Sequence, residues 1–194
     1  NSNSYTASIN FDKPYEHFIT GFTLETFYTR LNQAFYLQPI GEDEFGYLFE
    51  KQNGQGATIQ GATLEFRLNY DRKIQFEGGF TLQSNLYDDP VEYIEGVNGL
   101  TQFVRTPNDY GFALLRFTPN KKIRGSINYV YTGRMLVPHF AGAVNQDLDE
   151  IITSKRFSEL SAKVAYAVKV KKSNMNLEFY LGIKNILNAY QEQF

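Results

Sequence analysis

The chain has 194 residues, a formal net charge of −2, no cysteine, two histidines, and 16% aromatic residues that are all Phe or Tyr. The absence of Cys excludes a disulfide framework or a thiolate metal site, and the near-neutral charge provides no global field for holding nucleic acid. The longest unbroken apolar run, 164–168, is far shorter than the roughly 20 residues of a transmembrane helix.

Apolar and polar residues alternate along most of the chain. Because successive side chains of a strand point to opposite faces, this period of two predicts half-buried strands. In chain order the pattern predicts eight strands and no helix, at 5–12, 18–30, 57–70, 74–87, 109–118, 123–133, 157–170 and 175–184. The segment 109–118 is apolar on both faces, so alternation alone does not orient it.

The connections between the predicted strands alternate in length. Short turns are predicted at 12–16, 71–73, 118–122 and 171–174, whereas long loops are predicted at 31–56, 88–108 and 134–156. In an up-and-down antiparallel sheet, alternate connections lie at opposite ends of the strands. All the short turns should therefore lie at one end of the sheet, and all the long loops at the other.

A soluble antiparallel sheet would also alternate, but three features favour a membrane barrel. Strands of 14 residues extend about 46 Å at roughly 3.3 Å per residue, which is long for a soluble protein. Short turns at one end and long loops at the other are typical of outer-membrane barrels, and Tyr70, Tyr129 and Tyr131 near strand ends would form interfacial girdles. We predict an all-β, up-and-down antiparallel segment of a transmembrane β-barrel.

The turn at 71–73 predicts the register of its hairpin. If Tyr70 pairs with Ile74, Arg67 faces Glu77 directly, and both lie on the polar face. Opposite charges across such a pair stabilise it mildly.

The segment 182–191, with the sequence Gly-Ile-Lys-Asn-Ile-Leu-Asn-Ala-Tyr-Gln, closely resembles the near-terminal segment of TonB-dependent outer-membrane receptors. The segments 131–135 and 138–140 look like a strand-to-loop transition of the same family, in the style of receptors from Bacteroidota. The resemblance implies a barrel of about 22 strands filled by an N-terminal plug domain. Residues 1–194 would then be the C-terminal portion of the barrel, about eight strands, with the plug domain and the final strand absent.

The resemblance also implies a function. Such a receptor imports a scarce nutrient across the outer membrane of a Gram-negative cell: a ferric siderophore, cobalamin, haem or an oligosaccharide. It is energised through TonB by way of the plug domain, and it contacts outer-membrane lipid. We therefore expect a transporter rather than an enzyme, with no catalytic residues, no cofactor, no resident metal and no nucleic-acid partner.

The loops hold the candidate residues for cargo binding. Tyr47, Tyr93 and Phe140 could stack on cargo, although packing of loop against loop is a simpler role, and His139 could be a haem ligand or a neutral hydrogen-bonded residue. Acidic clusters at 42–44, 88–92 and 147–150 could bind Ca²⁺ or could merely be solvated. On the polar face, the charged residues are expected to face the plug or a water-filled lumen; they are Arg67, Glu77, Arg124 and Lys163.

Two other classes of protein also fit the alternation. The first is a self-contained eight-stranded outer-membrane barrel that serves as an adhesin or anchor; it requires pairing of the strand at 5–12 with the strand at 175–184. The second is a soluble β-sandwich binding module, in which one face of each strand packs against another sheet.

Overall fold

A computed structural model describes residues 1–33, 35–142, 147–170 and 175–191, and every regular element in these ranges is a strand. The described residues include no helix that is long and apolar enough to cross a membrane. The strands are β1 (Ser2–Pro14), β2 (Phe18–Leu31), β3 (Phe35–Asp43), β4 (Gly46–Asn53), β5 (Ala57–Tyr70), β6 (Ile74–Val91), β7 (Leu100–Gln102), β8 (Asp109–Phe117), β9 (Ile123–Thr132), β10 (Leu136–His139), β11 (Glu150–Thr153), β12 (Phe157–Val170) and β13 (Met175–Ile183).

The eight predicted strands form one antiparallel sheet with the order β1-β2-β5-β6-β8-β9-β12-β13, and β7 adds to β6 at one end. Each of these strands pairs with its neighbours in up-and-down order, which confirms the predicted fold class. The alternation predicted the ends of most of these strands to within a few residues. The largest differences are that β1 spans 2–14 rather than 5–12, and that β6 extends to residue 91.

The predicted asymmetry of the connections is present. Residues 15–17, 71–73 and 118–122 form short connections at one end of the sheet, and the long connections β2–β5, β6–β8 and β9–β12 lie at the other. The predicted turn at 171–174 lies outside the described residues. We call the end with the long connections the loop end.

The long connections are not purely irregular, which corrects their description as loops. The first carries the hairpin β3–β4, the third carries the pair β10–β11, and the second carries β7. In β3–β4 the register shifts between Pro39 and Gly41, and this bulge breaks the period of two by which strands were recognised. β10 and β11 are too short for alternation to identify.

The sheet has an apolar face, and no layer formed by the described residues covers it. Side chains on this face are widely exposed, for example Leu64 at 53%, Leu82 at 58% and Phe66 at 44%. A β-sandwich would bury them against a second sheet, so the described residues contradict the soluble sandwich. Among the described residues, the few buried large apolar side chains lie at the loop end, namely Ile94, Met135 and Val137.

The sheet is open at both edges. β1 pairs only with β2, β13 pairs only with β12, and every residue of both edge strands is exposed. The closed eight-stranded barrel required a ladder between these two strands, and the described part of the chain does not contain one. That alternative is therefore wrong for this structure.

The opposite face of the sheet is polar, and the register decides which residues share it. Arg67 pairs with Glu77, and Tyr70 with Ile74, as the sequence predicts. Glu77 in turn pairs with Leu114 of β8. The pairing of Glu77 with Leu114 orients the segment 109–118, whose two faces alternation could not assign. Even-numbered residues of β8 lie on the polar face, and odd-numbered residues lie on the apolar face.

The segment that follows β13 contains two asparagines, Asn185 and Asn188, whose backbone conformations suit this residue type. Asn185 and Asn188 have φ angles of 49° and 50°, a left-handed conformation that asparagine tolerates better than most residues. The Asn185 side chain closes the turn, because its Oδ1 accepts from the Ala189 N–H at 2.9 Å and its Nδ2 donates to the Ala189 carbonyl at 3.0 Å.

Candidate ligand-binding site at the loop end

The three long connections converge on a cavity of about 490 Å³, which we call the aromatic cavity. The first connection contributes four residues from the two strands of its hairpin: Phe35, Leu37, Phe49 and Lys51. These residues lie on one face of β3–β4, since Phe35 is opposite Asn53 and Leu37 is opposite Lys51. A small hairpin therefore forms one apolar wall.

The second wall comes from the end of β6 and the connection that follows it. The rings of Tyr87 and Phe103 stack with their centroids 4.3 Å apart. Burial raises the pKa of Tyr93, and a side-chain hydrogen bond with Tyr87 raises it further. Tyr93 is therefore a neutral phenol held against its neighbour, and Val104 and Arg105 complete the wall.

The third connection closes the cavity with Pro138 and Phe140. The Phe140 ring lies 5.2 Å from the ring of Tyr47 and 5.9 Å from the ring of Phe49, which joins the third connection to the hairpin of the first. The negative charge of Asp149 is the main cause that raises the pKa of Tyr47. Aromatic contacts between residues far apart in sequence thus hold the loop end together.

Two cations lie in this otherwise apolar lining. The Lys51 ammonium lies over the Phe35 ring, 4.5 Å from its centroid. Arg105 has a φ angle of 53°, which is uncommon for a residue with a side chain, and its N–H donates to the Leu136 carbonyl at 2.7 Å. Among the described residues, no carboxylate lines the aromatic cavity and the Arg105 guanidinium forms no ion pair.

A second cavity, of about 760 Å³, lies beside the first and shares Tyr87 with it. Its lining is acidic and includes Asp89, Glu92 and Glu95 together with side-chain amides of the first connection. Glu92 already accepts a hydrogen bond from the Gly96 N–H at 2.7 Å. The described residues contain no cluster of three or more His, Cys, Asp or Glu residues arranged to hold a metal ion.

The structure brings together three of the four loop candidates. Tyr93 and Phe140 line the aromatic cavity, and Tyr47 packs against Phe140. His139 lies in β10 opposite Glu150, half-buried and outside the cavity lining. Sequence reasoning missed Phe49, Lys51, Tyr87, Phe103 and Arg105; the consecutive apolar residues 47–49 provide no alternation that would have marked the first two.

The polar-face candidates take part in ion pairs and ring contacts across neighbouring strands. Glu77 pairs with Arg116 at 3.2 Å, Arg124 pairs with Glu178 at 2.8 Å, and the Lys163 ammonium lies 4.6 Å from the centroid of Tyr180. The expected partnership of Arg67 with Glu77 is wrong at the level of side chains.

Arg67 instead reaches across β2 to β1. Its Nε donates to Asp12 Oδ1 at 2.8 Å, and its Nη2 donates to Asp12 Oδ2 at 2.7 Å and to Asn10 Oδ1. Gly21 lies between the two strands in the register and provides the space, because a Cβ there would meet the Asp12 carboxylate. Arg67 and Asp12 therefore form a bidentate ion pair, which is stronger than a pair joined by one hydrogen bond.

No protein-family model matches the chain, and no curated protein matches it. A solved structure does resemble it: the closed form of the ferric-catecholate import receptor Fiu from E. coli K12, with a TM-score of 0.61 and 15% sequence identity. The match covers 96% of this chain and 23% of the receptor chain. At this identity the likeness shows the fold: the sheet corresponds to a section of a much longer receptor chain.

Proposed function

We propose that the chain is the C-terminal portion of the barrel of a TonB-dependent outer-membrane receptor that imports a scarce nutrient. The observation that carries the proposal is the division of the sheet into an uncovered apolar face and a charged polar face, with every long connection at one end. The fold likeness to a ferric-catecholate import receptor supports the same assignment.

Membrane lipid is the medium that suits the apolar face. Phe22, Phe66 and Leu115 lie on it, and each is more than one-third exposed. Such a face is costly in water at roughly 25 cal/mol per Å² of apolar area, and favourable in hydrocarbon. Because open strand edges do not occur in lipid, β1 and β13 should pair with further strands of the same receptor barrel.

The opposite face suits an aqueous lumen that is filled by a plug domain. Its side chains stay accessible: Arg67, Glu77 and Arg124 are 37%, 49% and 55% exposed within their ion pairs, and Lys163 is also exposed. Import by such a receptor involves binding and release, with no change in covalent bonds. In this proposal the loop end faces the cell exterior, the short turns face the periplasm, and TonB acts through the plug domain.

The orientation can be tested by cysteine labelling, because the chain has no cysteine of its own. Phe45→Cys lies at the tip of β3–β4, where Phe45 is 90% exposed, and Lys121→Cys lies in a short turn at the opposite end. A membrane-impermeant maleimide on intact cells should label the first variant and not the second. Equal labelling of both variants in intact cells would contradict an outer-membrane barrel in this orientation.

Transport can be tested in a strain that lacks the gene and is complemented with the full-length receptor. Growth on limiting amounts of each candidate nutrient (ferric siderophores, cobalamin, haem and oligosaccharides) should depend on the gene for at least one of them, and should also require TonB. Growth that is independent of the gene for every nutrient, with the protein present in the outer membrane, would argue against a receptor role.

A further inference from the structure

We propose that the aromatic cavity binds the planar ring of an organic anion, with its anionic group directed to Arg105 and Lys51. The proposal rests on the proposed function, since it names the class of cargo that the loop end would recognise. It concerns the cavity of about 490 Å³ and not its acidic neighbour.

The size and lining of the cavity fit a planar ring. A volume of about 490 Å³ lies within the usual range for small-molecule sites, roughly 300–1,000 Å³. Phe103 and Tyr87 present a stacked pair on one wall, and Phe49 and Phe140 present an edge-to-face pair on another. Offset stacking on such rings is favourable for a flat aromatic ligand.

The charge of the lining favours an anion. Of the lining residues that the structure describes, the two charged ones are cations and none is a carboxylate. Arg105 is exposed and its guanidinium makes no ion pair within the described residues, so it is available to pair with a bound carboxylate or phenolate.

The backbone at Arg105 points to the same conclusion. Residues held at φ near 53° are uncommon unless they are Gly, Asn or Asp, and they concentrate at functional sites. Here the hydrogen bond from the Arg105 N–H to the Leu136 carbonyl ties the second connection to the third. The strained conformation places a cation in the lining of the cavity.

An oligosaccharide fits the aromatic cavity less well. Sugar hydroxyls need many polar partners, and a hydroxyl buried without one is costly. The side-chain amides and carboxylates at the loop end, including Gln38, Asn53 and Asp89, line the neighbouring cavity instead. The aromatic cavity offers mainly rings, aliphatic groups and two cations.

The test is a binding measurement on the full-length receptor in detergent, with two probes of matched shape. 2-Naphthoate carries a carboxylate, and 2-naphthamide is neutral. Naphthoate should bind at least fivefold more tightly by isothermal titration calorimetry. Arg105→Gln and Lys51→Gln should each remove most of this preference, while naphthamide binding changes less than twofold.

Three further variants separate the causes. Arg105→Lys keeps the charge and should keep the preference for naphthoate, whereas Phe103→Leu should weaken both probes. Lys121→Gln removes a cation from the opposite end and should change neither affinity. Equal affinity for the two probes, tight binding of maltohexaose that competes with naphthoate, or no binding of either probe would overturn the proposal.

The failure of this inference is distinguishable from the failure of the proposed function. TonB-dependent growth without naphthoate binding would leave the receptor assignment intact and remove only the cargo class. Naphthoate binding that depends on Arg105, in a protein that does not label from the cell exterior at residue 45, would support the cavity and contradict the receptor assignment.

Discussion

The apolar face makes a quantitative prediction at two adjacent residues of β9. Ile127 lies on this face between Leu115 and Ala162 and is 45% exposed, whereas Asn128 lies on the polar face between Leu114 and Ser161. On the apolar face, residues 123–131 extend about 26 Å at roughly 3.3 Å per residue, or about 20 Å across a membrane at a tilt near 40°. Ile127 is at the centre of this band.

An arginine at the centre of a lipid-facing band costs about 2–4 kcal/mol, and much less at a lumen-facing position. If the apolar face contacts lipid, as proposed, Ile127→Arg should therefore lower the ratio of folded to unfolded protein about 30- to 900-fold, since each 1.36 kcal/mol is a factor of ten. Asn128→Arg places the same side chain one residue away on the other face, and should change this ratio by a few-fold at most.

The assay is urea unfolding of the full-length receptor in lipid vesicles, followed by the electrophoretic mobility of the folded barrel. Outer-membrane abundance in cells provides a second readout that does not depend on refolding. Equal losses of stability for the two variants, or a larger loss for Asn128→Arg, would refute the assignment of lipid to the apolar face.

Three more predictions concern packing, a surface ion pair and titration. Gly111→Ala should destabilise the receptor by about 1–3 kcal/mol, because a Cβ there would lie 2.5 Å from a backbone carbonyl oxygen, whereas Gly125→Ala should be neutral in the same unfolding assay, since its nearest atom is 3.8 Å away. Asp88→Asn should speed hydrogen exchange of the backbone amide of residue 88, because the Asp88 carboxylate accepts two hydrogen bonds from Arg30, at 2.6 and 2.5 Å. Unchanged exchange would show that the Arg30–Asp88 ion pair does not hold β6 in place at residue 88. Because burial raises the pKa of Tyr93, its neutral phenol stabilises the loop end fully below the unfolded pKa of about 10, and this stability is lost as pH rises through the folded value. Tyr93→Phe should remove a tyrosine that ionises above the usual pH range in an absorbance titration.

The strands were predictable because their signal is local. The alternation along 57–70 and 74–87 shows both strands and both faces, and the turn at 71–73 predicts the register in which Arg67 pairs with Glu77. The segment 109–118 shows where this reasoning ends. With apolar residues on both faces it has no internal signal, and only pairing with β6 and β9 orients it.

The side-chain partners were less predictable than the backbone register. Arg67 bonds to Asp12 across an intervening strand instead of to its direct neighbour, because Gly21 leaves a gap between them and the carboxylate offers two acceptors. A long side chain reaches several positions on a sheet, so register alone does not choose among them. The choice depends on which neighbours are small.

The sequence by itself determined the eight strands of the main sheet, the two faces of seven of them, and the end of the sheet at which the long connections lie. These properties follow from a period of two and from the lengths of connections, which are read within one segment at a time. Only the tertiary structure decided that three connections, far apart in the chain, meet around one aromatic cavity with Lys51 and Arg105 in its lining. Loop packing depends on contacts between rings such as Phe49 and Phe140, and no periodicity in the sequence records such contacts.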